Sequence, residues 1–115
     1  MMKELHTDVL GTDYKVLVGK RKEIGIPKRL RGQCCNYSRQ VMVEHSMRGC
    51  ETKEESDRYA AEVMAHEMFH AFINESGLDI LEDIEERLAI WYEKNWRKMN
   101  NSICGLLDEL GLLDI

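Results

Sequence analysis

The sequence predicts an α+β domain, a small three-stranded antiparallel sheet followed by helices, and three observations carry that expectation. Short segments rich in β-branched residues and bounded by turn residues occupy the first 45 positions. From residue 56 onward the chain has no proline and is rich in Ala, Met, Glu and Leu, with apolar residues at steps of three and four. The 115 residues suffice for one hydrophobic core but not for a catalytic domain plus a separate recognition domain, so residues 1–115 are read as a single unit.

The sheet region is expected at about residues 9–45. Tyr14, Val16 and Val18 alternate with their neighbours before Gly19 ends the run, the pattern of a half-buried strand. Residues 20–31 hold Pro27, Gly25 and a cluster of basic side chains, which reads as a solvated loop or a short helix. Gly32–Cys35 and Gln40–Glu44 flank Asn36-Tyr37-Ser38-Arg39, whose turn-forming residues suit a tight connection between antiparallel strands.

A helix is expected at about 56–76, with Ser56 or Asp57 as its N-cap and Gly77 as its stop. Tyr59, Val63, His66, His70 and Ile73 form its inward stripe. A second helix is expected at about 80–99, and the piece at about 101–113, with Gly105 and Gly111, is expected as a third, shorter helix or a helical extension.

Within the first of these helices, His66-Glu67-Met68-Phe69-His70 spells HExxH. On a helix the two imidazoles stand one turn apart on one face and can reach a single Zn²⁺. Glu67 lies beside them as a general base for a zinc-activated water. A shuffled chain of this composition shows the five letters about 2% of the time, so it is the mid-helix position that gives them weight. The competing reading makes the histidines ordinary core residues, but it leaves Glu67 without a role.

Catalytic zinc ordinarily takes three protein ligands, so two histidines leave the site incomplete. His6 and His45 precede the motif in strand or loop segments, which turns attention to Glu82-Asp83-Ile84-Glu85-Glu86. In helical projection Leu81, Ile84, Leu88, Trp91 and Tyr92 define an apolar stripe. Glu85 falls roughly 70° from its centre, Glu82 and Asp83 about 130°, and Glu86 about 170°. The expected metal ligands are therefore His66, His70 and Glu85, holding one Zn²⁺ per chain. Asn74 and Asp79 are candidates to orient the imidazoles, and Tyr37, His45, Arg87 and Tyr92 are candidates to stabilise an oxyanion.

Glutamate on the helix after HExxH resembles the gluzincin clan of zinc peptidases. Leu10-Gly11-Thr12-Asp13-Tyr14-Lys15-Val16, Gly32-Gln33-Cys34, Val41-Met42-Val43, the motif with Ala71-Phe72 and Glu75-Ser76-Gly77-Leu78, and Glu85-Glu86 together resemble the small HExxH proteins encoded by phages and prophages of Gram-positive bacteria. The resemblance implies a minimal zincin-like fold and a metallopeptidase acting on a peptide or protein substrate. It also implies that the first glutamate of the pair, Glu85, is the third ligand, and that an edge strand, here Gln40–Glu44, receives the substrate. The chain departs from those relatives at Ala89, where they often carry aspartate, and in the position of Trp91. A one-residue change of register would pass the ligand role to Glu86.

Net charge of −5 and a pI near 5.4 disfavour a nucleic-acid or anionic-membrane partner. No apolar run reaches the length of a membrane span, and Met1-Met2-Lys3-Glu4 opens no signal-peptide segment, which implies a cytoplasmic protein with reduced thiols. Cys34, Cys35, Cys50 and Cys104 contain no CxxC pair and are expected to be packing or incidental residues. A different functional class is a zinc-binding, catalytically inactive interaction protein in which the metal serves the fold of a small domain.

Overall fold

The computed structural model describes residues 2–114 as an α+β fold of four strands and two long helices. The strands are β1 (Lys3–Val9), β2 (Thr12–Gly19), β3 (Gly32–Cys35) and β4 (Gln40–Glu44). The helices are α1 (Arg21–Ile24), α2 (Lys53–Ser76) and α3 (Glu82–Glu109).

The sheet is mixed rather than antiparallel, in the order β1-β2-β4-β3, with β2 and β4 parallel and the other pairs antiparallel. β1 was not expected as a strand. It is exposed along its length except at Val9, so it shows no alternation to read, and its place comes from backbone pairing with β2. The hairpin closes through Leu10 and Gly11, both at positive φ (50° and 91°), as a two-residue turn requires when its twist must match that of the strands.

β4 is central, which corrects its assignment as the substrate-receiving edge. Val41 and Val43 face the main core with Val9, Tyr14, Val16, Val63 and Ala71, while Met42 faces the opposite side with Ile24 and Ile26. A strand covered on both faces has an unbroken apolar run, and Val41-Met42-Val43 is such a run. The free edges belong to β1 and β3.

The loop from β4 to α2 is tied down by Glu44, whose side chain is buried and accepts hydrogen bonds from Ser46 Oγ and Arg48 Nε (2.6 and 2.9 Å to Oε2). Arg48 also donates to the carbonyl oxygens of Lys28 and Leu30. Part of the basic stretch is thus structural: Arg31 pairs with Glu44 (3.7 Å) and lies over the Tyr59 ring. α2 starts three residues before its expected limit, because Thr52 is the N-cap, its Oγ1 accepting from the Glu55 amide at 3.1 Å. Ser56, expected in that role, is buried and donates to the Ser46 carbonyl (2.7 Å), and Asp57 pairs with His45 and Lys53.

α2 lies across β3 and β4, and α3 packs against α2. Of the two readings of the C-terminal piece, the structure shows the helical extension, so residues 82–109 form one helix. Gly105 is carried inside α3, since a helix of this length absorbs the roughly 1 kcal/mol of a single interior glycine. The chain turns only at Gly111, where φ is 70°. α3 also presents an unexpected face to α2: Ala89 is fully buried, whereas Leu81, Ile84, Leu88 and Trp91 are exposed. No described helix is long and apolar enough to cross a membrane.

Candidate metal centre

α2 carries His66 and His70 on the side facing α3, and the small side chain of Ala89 lets the two helices approach there. The Nε2 atoms of the two imidazoles lie 3.3 Å apart. Glu86 spans them, with Oε1 2.8 Å from His66 Nε2 and Oε2 3.0 Å from His70 Nε2. These three residues offer ligand atoms within 4.8 Å of one another and could hold a metal ion.

The far side of each ring is also held by a carboxylate. Glu93 Oε1 lies 2.8 Å from His66 Nδ1, and Glu85 Oε2 lies 2.5 Å from His70 Nδ1. Nδ1 must donate in both contacts, because a carboxylate only accepts. In the neutral imidazoles this leaves lone pairs on both Nε2 atoms, aimed at each other and at the Glu86 oxygens. Acceptors converging without a donor repel unless protons or a cation stand among them. Two imidazole nitrogens and a carboxylate oxygen form a donor set that suits zinc among common divalent ions.

Glu85 is thus placed one step from the convergence, at the back of His70, and Glu86 occupies the position expected of Glu85. The displacement follows from the packing of α3, whose inward face is centred on Ala89 instead of on the apolar stripe used for the projection. Glu93 has no counterpart among the expected residues. It could have been found from the spacing of Glu86, Ala89 and Glu93, which puts two acids and a small residue on one helical face. Asn74 does not orient the imidazoles; its Nδ2 donates to Glu75 (3.0 Å) and approaches the Tyr14 hydroxyl, which itself donates to Glu75 at 2.7 Å. Asp79 is exposed, as are Glu82 and Asp83.

Glu67 packs its side-chain stem against β3 of the sheet. A Cβ added to Gly32 on β3 would lie 2.9 Å from Glu67 Cγ and 2.5 Å from Val63 Cγ1, so the glycine makes the room in which Glu67 sits. Burial there raises its carboxyl above the usual range, while the neighbouring imidazoles oppose the rise. Cys34, two residues along β3, is pushed up to about 12, mainly by burial and then by the charge of Glu67, and its thiol donates to Asn36. It is a neutral packing residue at the core's edge.

None of the four oxyanion candidates is brought to the cluster by a contact among the described residues. Tyr37 is fully exposed in the β3–β4 turn, His45 is bound to Asp57 (2.8 Å), Arg87 is exposed, and Tyr92 stacks against Phe69 with ring centroids 5.2 Å apart. No protein-family model, curated protein or solved structure matches this chain, so the chemistry of the site is argued from its own residues.

Proposed function

We propose that the protein is a zinc-dependent peptidase in which His66, His70 and Glu86 hold the metal and Glu67 is the general base. The observation that carries the reading is the convergence of two imidazole Nε2 atoms and a carboxylate, each imidazole backed by a second carboxylate. Outer carboxylates of this kind fix the tautomer and orientation of metal-binding histidines. Zn²⁺ bound by this set supplies Lewis acidity, polarising a substrate carbonyl and lowering the pKa of water.

Glu67 does the proton work. It stands beside the histidines without a place in the donor set, and its raised proton affinity suits a group that takes a proton from attacking water and returns it to the leaving amine. β3 replaces β4 as the strand on which an extended substrate would pair, since β3 is a free edge and its Gly32 adjoins Glu67. The resemblance to phage and prophage HExxH proteins implies the same activity, although it assigns the third ligand to Glu85 and the substrate edge to Gln40–Glu44.

The empty surroundings of the cluster, with Tyr37, His45, Arg87 and Tyr92 engaged or exposed elsewhere, favour a second reading, a metal-stabilised interaction module. Glu67→Gln separates the two. It is expected to leave zinc content and fold intact and to lower peptide hydrolysis by about 10²–10⁴-fold. Hydrolysis that persists in the variant refutes the peptidase reading. A zinc-loaded wild type inert toward a broad peptide library supports the module.

A further inference from the structure

The site uses one face of α3, and nearly opposite it the helix leaves an apolar face with no partner among the described residues. Ile84, Leu88, Trp91, Met99, Leu106 and Leu110 are between 41% and 69% exposed. From Arg97 to Glu109 every side chain but Leu107 is exposed, so the second half of α3 stands clear of the domain. The radius of gyration, 15.4 Å, exceeds the roughly 13 Å of a compact chain of this length accordingly.

The spacing of this face is symmetric about Asn95 to within one residue. Trp91 and Met99 lie four residues to either side, and Ile84 and Leu106 eleven. Leu88 and Ile103 lie seven and eight away, Leu81 and Leu110 fourteen and fifteen. Eleven residues make three turns at 3.67 per turn, so the stripe runs almost straight along the helix. In an antiparallel pair with Asn95 on the dyad, residue i meets residue 190 − i of the other copy, so Ile84 meets Leu106 and Trp91 meets Met99, while Leu88 with Ile103 and Leu81 with Leu110 fall one residue out of register. A two-fold interface must be self-complementary in this way, whereas a different protein partner requires no such symmetry.

The face is also large enough. The eight exposed apolar side chains of the stripe present on the order of 900 Å², against roughly 800 Å² per partner in a stable interface. It is continuous with a groove of about 610 Å³ between α2 and α3, walled by Met68, Phe69, Phe72, Tyr92 and Trp96, which adjoins Leu88 and Met99 around the helix. A partner helix lying along α3 would cover part of that groove as well.

We propose that the protein is a homodimer in which the α3 helices of two copies pair antiparallel about Asn95, with each α2 on the outer side of the pair. Each metal centre stays on the outer side of its α3, open to substrate.

Sedimentation equilibrium of the full chain, from micromolar to hundreds of micromolar, is expected to give the mass of two copies. Leu88→Glu and Leu106→Glu should each weaken the dimer by two orders of magnitude or more, because every dimer loses two leucines and acquires two carboxylates at the interface. The far-UV spectrum serves as the control for folding. Register is read by oxidation with diamide in a Cys104→Ser background. Asn95→Cys should form a disulfide with itself across the dyad. Leu81→Cys and Leu110→Cys should each fail to self-link, their copies lying about 40 Å apart, yet link to each other when mixed. A wild type that stays monomeric throughout the concentration range overturns the proposal. So does a dimer unaffected by both glutamate variants, or self-linking of Leu110→Cys, the mark of a parallel pair.

Discussion

Replacing Glu86, Glu85 and Glu93 one at a time by glutamine tests the geometry of the centre, because the three carboxylates touch the same two imidazoles from different sides. Glu86 alone reaches both Nε2 atoms, at 2.8 and 3.0 Å. Glu85 and Glu93 each hold one Nδ1, at 2.5 and 2.8 Å. Loss of an outer partner lowers metal affinity by about 10–100-fold, or about 1.4–2.7 kcal/mol. Loss of a ligand removes both a bond and the charge that offsets the ion, so Glu86→Gln should exceed about 100-fold, or about 2.7 kcal/mol. The assay is competition for Zn²⁺ against a chromophoric chelator, with folding checked by circular dichroism. With Zn²⁺ bound, ¹⁵N spectra should show both rings protonated at Nδ1. A larger loss for Glu85→Gln than for Glu86→Gln would refute the assignment and return the third ligand to Glu85.

Ala89→Leu should weaken zinc binding although it changes no donor, because a larger side chain at this fully buried position forces α3 from α2; overpacking of about 1–3 kcal/mol should appear in urea denaturation. Gly32→Ala should destabilise the fold by a similar amount, about 1–3 kcal/mol, since the new Cβ would stand 2.5 Å from Val63 Cγ1 and 3.0 Å from the Met42 carbonyl oxygen. An unchanged denaturation midpoint in either variant contradicts the packing described here. The hydrogen bond from Arg48, followed by that from Ser46, holds the Glu44 carboxyl below its ordinary value of 4.5 in the folded state. Its contribution to stability is therefore complete above that pH and is lost as pH falls through the lower folded value, so Glu44→Gln should flatten the acid limb of a stability–pH curve. An acid limb as steep as that of the wild type would show that Glu44 does not control it.

Local chemistry was legible in the sequence wherever one segment sufficed to define it. HExxH on an uninterrupted helix places His66 and His70 on one face whatever packs against them, and Gly77 ends that helix at a φ of 77° that favours glycine. The β3–β4 hairpin was likewise legible, its strand limits coinciding with the runs on either side of Asn36–Arg39. What required two distant segments was not. β1 has no buried face to leave a pattern, and the parallel pairing of β2 with β4 depends on which strands meet in space. The choice among Glu85, Glu86 and Glu93 turned on the rotation of α3. Projection assumed that the most apolar stripe faces inward, but Ala89 wins the contact with α2 because a small residue permits close approach, leaving Tyr92 against Phe69 and turning Leu81, Ile84, Leu88 and Trp91 outward. Residue spacing along the chain decided which groups could bind a cation together. Helix rotation, a property of packing alone, decided which carboxylate faces the two Nε2 atoms and which stand behind the rings.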